Sequence, residues 1–241
     1  MLRAIIAIFI KTPTLKYLLP FLFLGAINAL GNPPLPPTVA GLPLHDTTAG
    51  PLKLHQLKKL HVIGDFDGDG IADTLRQYNY SRRHHAEIIW SPDPFLNDWD
   101  DVAQWFYAQE ADVLLTTGNT GGDTLDFGPA QGLYCLINIG DNNGDGKQEI
   151  ALVVDLLDMS RLNSCRIYTY CNGRWTMIKK FDIHEGAFDF MNGQPAEFTE
   201  IKGFLEKQHG KWVYRHYLPE DYDLAGNAGK MQPLRLDGCK E

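Results

Sequence analysis

The chain has 241 residues, of which 44% are hydrophobic and 11% aromatic, enough for one large or two small cores and too apolar for a disordered chain. Its formal charge is −8; without the first thirty residues, which carry Arg3, Lys11 and Lys16 but no acid, 19 basic residues face 30 acidic ones and the charge is −11. That balance argues against nucleic acid and anionic membrane surfaces as partners, and suits an exported protein or one that binds cations.

Residues 1–30 begin with basic residues, continue into the apolar run "YLLPFLFLGAINAL" (17–30) and end in small ones, with Ala29 and Gly31 as cleavage positions. This is the pattern of a secretory signal peptide rather than a membrane anchor, because the apolar run is short and contains Pro20. Without a cysteine near the exit, no lipid anchor is expected, and the mature chain is expected in the periplasm or outside the cell with no membrane insertion. Residues 31–56 are rich in Pro and Gly and read as an extended linker or edge segment.

From residue 57 to 241 the pattern is that of β-structure. "LHVIGDF" (60–66) alternates with Leu60, Val62 and Phe66 on one face, and "LYCLINIGD" (133–141) with Leu133, Cys135, Ile137 and Ile139. "EIALVVD" (149–155) is apolar at every position but its ends, which predicts a strand covered on both faces. "NDWDDVAQWFYAQE" (97–110) breaks the pattern: Asn97 or Asp98 caps a short helix with acids in its first turn and Val102, Trp105 and Phe106 on its inner face. Residues 165–183 predict a hairpin turning at Asn172-Gly173, and 198–218 another turning near His209-Gly210. Residues 133–183 thus form one four-strand unit, 57–117 a looser version with the helix inserted, and 186–218 the second half of a third.

An exported chain with Cys135, Cys165, Cys171 and Cys239 can form disulfides, and spacing leaves three full connectivities open. Cys165 and Cys171 are six residues apart on one predicted strand, about 20 Å, and cannot pair with each other.

Two stretches repeat one pattern 76 residues apart: "DFDGDGIAD" from Asp65 and "DNNGDGKQE" from Asp141. Asp65, Asp67, Asp69 and Asp73 occupy positions 1, 3, 5 and 9 of the first; Asp141, Asn143, Asp145 and Glu149 occupy the same positions of the second. Side-chain oxygens at 1, 3 and 5 converge only if the backbone curls tightly, which Gly68 and Gly70, or Gly144 and Gly146, permit. The carbonyl at position 7 (Ile71, Lys147) adds an oxygen and the carboxylate at 9 closes the ring. An all-oxygen set without nitrogen or sulfur specifies Ca²⁺. The loops are not EF-hands, because position 12 holds Arg76 and Leu152 instead of a bidentate Glu, and the flanks are strands.

The motif D-x-[DN]-G-D-G-x-x-[DE], entered from an apolar strand ending in Gly, resembles the FG-GAP/VCBS repeats of integrin-α-type β-propellers. The resemblance covers about 110 residues. It implies that calcium is structural, held by the residues named above away from any catalytic centre. With the four-strand units and the helix at 97–110 it leads to an all-β fold, a small or incomplete β-propeller-like array of four-stranded antiparallel units with one short helical insertion. Seven blades are usual in the family, and the mature chain is long enough for four or five at about 40–50 residues each.

Catalytic motifs do not stand out: there is no G-x-S-x-G and no H-E-x-x-H, "GNTGGDT" (118–124) lacks a lysine, and His84-His85 read as an exposed turn. Glu87, Asp93 and Glu110 make a weak case for a glycosidase pair in a chain so rich in acids. The expectation is therefore a non-enzyme that binds a protein or glycan at the cell envelope through the aromatic stretch 90–107, with Trp90, Phe95, Trp99, Trp105 and Tyr107 as contacts. The alternative is a periplasmic inhibitor or immunity protein against a cell-wall hydrolase. A shallow aromatic platform favours the first and a protruding plug the second.

Overall fold

Alternating apolar positions and paired turn residues organise the chain into antiparallel strands with one helix. The computed structural model describes residues 51–117, 123–188, 198–217 and 229–239, all within a unit spanning Gly41–Glu241. The signal-peptide reading of 1–30 and the 31–50 part of the linker lie outside the described residues.

In chain order the elements are β1 (Leu54–Gln56), β2 (His61–Gly64), β3 (Asp73–Ser81), β4 (Ala86–Glu87), β5 (Trp90–Pro92), helix α1 (Trp99–Gln109) and β6 (Ala111–Thr116). They continue with β7 (Leu125–Gly140), β8 (Glu149–Leu156), β9 (Leu162–Cys171), β10 (Arg174–His184), a 3₁₀ turn (Glu185–Ala187), β11 (Leu205–Gln208), β12 (Lys211–Tyr214) and β13 (Gln232–Pro233). The main sheet runs β10-β9-β8-β7-β6-β3-β2 with β4 on β3; β11-β12-β13 form a second sheet and β1-β5 a third. Among the described residues the main sheet does not close on itself.

Several sequence expectations match. Asn172 (φ 49°) and Gly173 (φ 81°) turn β9 into β10, and His209 (φ 52°) and Gly210 (φ 78°) turn β11 into β12. Asp98 precedes α1, Asp100 and Asp101 lie in its first turn, and Val102, Trp105 and Phe106 are buried, although the Asp98 side chain makes no capping bond. Strand β8 is buried on both faces: Ile150, Leu152 and Val154 enter one cluster, Ala151 and Val153 another.

Three expectations need correction. The first unit is not complete within 57–117, since its fourth strand is the start of β7. That strand is 16 residues long, pairs with β6 up to Pro129 and with β8 from Ala130, and so belongs to both units. Register shifts at Ala130/Gly132 and Leu133/Cys135 bend it between partners. The second of these shifts also breaks the expected alternation: Cys135, Ile137 and Ile139 face the β11-β12 hairpin, while Leu133 turns to the opposite cluster with Leu136. Finally, the end of the Pro/Gly-rich segment does pack, because β1 pairs with β5 and Leu52 and Leu57 lie against the helix cluster.

Two large clusters therefore sandwich β7–β10. On one side Leu75, Val113 and Leu115 of the first unit meet Ile150, Leu152 and Trp175 of the second. On the other, Ile167, Phe181 and Ile183 meet Phe204, Leu205 and Trp212. At about 1.5–3 kcal/mol for each fully buried large side chain, this burial is the main force joining the units.

Of the cysteine pairings left open by spacing, the structure has Cys171–Cys239, with Cα atoms 5.6 Å apart. Cys135 and Cys165 stay reduced. Both register with Val153, one from each side, so two strand spacings of about 4.8 Å separate them, beyond the reach of a disulfide. Burial raises both thiol pKa values, which makes them inert apolar packing groups.

Candidate metal centres and an adjoining pocket

The acidic loops join β2 to β3 and β7 to β8, and the same hydrogen bonds build both. In the first, Asp65 accepts from the backbone N–H of Gly68 (2.9 Å) and Gly70 (3.0 Å), Asp67 from Asp69 (3.1 Å) and Asp69 from Ile71 (2.7 Å). In the second, Asp141 accepts from Gly144 (2.7 Å) and Gly146 (3.0 Å), Asn143 from Asp145 (2.9 Å) and Asp145 from Lys147 (3.0 Å). The position-9 carboxylates agree too, with Asp73 held by the N–H of Phe66 and Glu149 by that of Asn142. The four loop glycines lie at φ between 79° and 85°, where side chains are strained.

Asp65, Asp141 and Asp145 engage both carboxylate oxygens in these loop bonds, whereas Asp67 and Asp69 engage one each. Ligand atoms of Asp65, Asp67 and Asp69 lie within 4.8 Å of one another, as do those of Asp141, Asp145 and Glu149. Either group could hold a metal ion. Asp73 is outside that converging trio, its pKa raised by burial and then by the charge of Asp67. Glu149 is fully buried, Oε1 has no hydrogen-bond partner, and burial pushes its pKa up to about 7. A buried carboxylate oxygen without a donor is costly in the absence of a cation. Ile71 and Lys147 expose or half-expose their side chains, and the Lys147 ammonium turns away from its loop to the Tyr170 carbonyl at 3.0 Å.

The loops also touch each other, which the sequence did not predict. The N–H of Gln148 donates to the Asp65 carbonyl at 2.9 Å, and Asn138 Nδ2 donates to the Ile63 carbonyl (2.9 Å) and to Gln148 Oε1 (2.6 Å). Gly64 makes this approach possible: a Cβ there would sit 2.5 Å from both Asn138 Nδ2 and Gln148 Oε1. Gly64→Ala is expected to break the Asn138 bridge and cost about 2–3 kcal/mol, read as a lower denaturant midpoint; an unchanged midpoint would contradict the contact.

No family model, curated protein or solved structure matches the chain.

The aromatic stretch splits. Trp105 is 8% exposed and packs edge-on against Phe106 at 5.2 Å, so it belongs to the core. Trp90 and Trp99 are half-buried, whereas Phe95 is 70% and Tyr107 56% exposed. Phe95 and Trp99 line a pocket of about 790 Å³ between the insertion and the middle of β7. His55, Asp93, Tyr134, Asp155 and Glu185 also line it.

Sequence reasoning missed the floor of this pocket. Asp155 accepts hydrogen bonds from Gln131 Nε2 (3.3 Å) and from the Tyr134 hydroxyl. Gln131 is reached in turn from the buried pair Gln77 and Asn79 of β3. The available signal was "LRQYNYS" (75–81), whose inward positions after Leu75 are Gln, Asn and Ser, polar residues where a core strand should be apolar. His55 Nε2 meets Ser91 Oγ at 3.1 Å, and burial lowers its pKa, leaving the ring neutral at pH 7.

Burial, followed by the charge of Glu185, pushes Asp155 up to about 7 against the hydrogen bonds that oppose the shift. Folded Asp155 therefore keeps a proton that the unfolded chain has released once the pH passes about 4. Its contribution is fully present below pH 4 and is lost as pH rises through 7, by at most about 4 kcal/mol. Asp155→Asn should gain stability relative to the wild type as pH rises from 4 to 7.5; a constant difference across that window would show that Asp155 does not titrate in it.

Proposed function

We propose that this chain is an exported, non-catalytic calcium-binding protein of the FG-GAP/VCBS type, a small or incomplete propeller-like array whose calcium is structural. Asp65, Asp67, Asp69, Asp73 and the Ile71 carbonyl form one ligand set. Asp141, Asn143, Asp145, Glu149 and the Lys147 carbonyl form the other. The scaffold presents the 90–107 insertion to a protein or glycan at the cell envelope.

The observation that carries this reading is the repetition of one hydrogen-bond scaffold in both loops, combined with the unpartnered buried oxygen of Glu149. A turn that merely solubilised a hairpin has no need to bury a carboxylate. Hard oxygen donors in a flexible loop suit Ca²⁺ better than Mg²⁺, which demands tighter octahedral geometry.

Calorimetric titration of Ca²⁺ into the calcium-stripped chain tests this. Two sites are expected, in the range of about 0.1–1 mM typical of extracellular modules. The first loop, with four carboxylates against three, should bind more tightly. Asp67→Ala with Asp145→Ala should abolish the heat, and a flat wild-type titration would refute the proposal.

A further inference from the structure

The pocket beside the insertion has the dimensions and lining of a ligand site, and its volume of about 790 Å³ falls in the usual range for drug-sized molecules, about 300–1,000 Å³. Its walls and floor come from segments far apart in the chain: the β1 region, the 93–99 turn, the middle of β7 and the end of β8. The floor is fixed before any ligand arrives. Tyr134 stacks on Phe188 at 4.9 Å with an interplanar angle of 9°, and its hydroxyl is tied to Asp155. Asn97 clamps the 93–99 turn by donating to the carbonyls of Lys53 and Asp93, both at 2.8 Å. Such preorganisation removes part of the ordering cost of binding.

Charge decides the class of ligand. Lys58 and Asp93 bring opposite signs to the rim, and Glu185 lies 3.6 Å from the Arg161 guanidinium. Asp155 already accepts two hydrogen bonds, and the His55 ring is neutral. The lining sets one cationic side chain, Lys58, against Asp93, Asp155 and Glu185, so it has no cationic cluster to select a phosphate. What remains is an aromatic wall beside a floor of donors and acceptors. That combination suits a molecule with apolar C–H faces and a hydroxyl rim, since ring faces carry negative charge density and the floor groups can both give and accept hydrogen bonds.

We propose that this pocket binds an uncharged saccharide, with Phe95 and Trp99 stacking on sugar rings and Asp155, Tyr134 and Gln131 bonding to hydroxyls. The proposal rests on reading the chain as a non-catalytic binding scaffold, and it names the ligand class and the place where that ligand sits.

The test uses the full chain in calcium, titrated with cellobiose, maltose, lactose and N,N′-diacetylchitobiose, with spermidine and inorganic phosphate as charged probes, read by calorimetry and tryptophan fluorescence. The expected result is saturable binding of at least one disaccharide, weakened tenfold or more by Phe95→Ala or Asp155→Asn. Phe95 is largely exposed, so its truncation leaves the fold intact even if Asp155→Asn does not. No saturable disaccharide binding, binding that both variants leave within tenfold, or tighter binding of spermidine or phosphate would overturn the assignment. Melting curves of the same samples with and without EGTA separate the two readings. Calcium-dependent melting without sugar binding overturns the pocket alone, whereas loss of both overturns the scaffold reading as well.

Discussion

Chelating calcium with EGTA is expected to lower the melting temperature of the chain by roughly 6–12 °C. With Kd about 0.1 mM and free Ca²⁺ about 1 mM, each site contributes roughly 1.4 kcal/mol by mass action. Two sites then give about 3 kcal/mol, at about 2–4 °C per kcal/mol for a domain of this size. The physical source is the loop interior, where three ligand groups converge within 4.8 Å in each site and the buried Glu149 oxygen lacks a donor. Combining Asp67→Ala with Asp145→Ala should remove the EGTA effect, because each takes an oxygen from the centre of its group. Superimposable curves for the wild type with and without EGTA would sink the structural role of the ion.

The second large effect concerns Cys171–Cys239. Reduction, or Cys239→Ser, is expected to cost about 4 kcal/mol, because the bond closes a separation of 68 residues and loop-closure entropy grows with the logarithm of that length. The melting temperature should fall by roughly 8–16 °C. The bond holds the 229–239 segment, whose Leu234 and Leu236 pack against the cluster under β9 and β10 and whose β13 pairs with β12. Cys171 also follows Tyr170, the residue whose carbonyl receives the Lys147 ammonium, so reduction should weaken calcium binding at the second loop more than at the first. A melting temperature unchanged by reductant would show that the described packing alone holds this segment.

Much of this architecture was legible in the sequence because local signals carried it. Asn172-Gly173 and His209-Gly210 fixed two turns through positive φ, and the inward spacing of Val102, Trp105 and Phe106 fixed the helix face. The loop residues were legible for the same reason, since side chains at positions 1, 3 and 5 bond to backbone within the same few residues. What stayed hidden depends on partners distant in sequence. The bulge that turns Leu133 away from Cys135 arises from pairing with β8, and the extension of β7 back to Leu125 comes from its pairing with β6. The pocket was invisible because Tyr134 and Asp155 occupy ordinary strand positions. They acquire a role only where β7, β8 and the insertion converge.

Strand β7 has one more consequence. Duplicated modules are usually thought of as cassettes, each carrying its own strands, so that a copy can be deleted, exchanged or expressed alone. Here residues Leu125–Gly140 pair with β6 at one end and with β8 at the other, and Gln148 of the second acidic loop bonds to Asp65 of the first. Among the described residues the two loop-bearing halves therefore share a strand rather than meet at a linker. A break within this strand would open the ladders to both β6 and β8 at once.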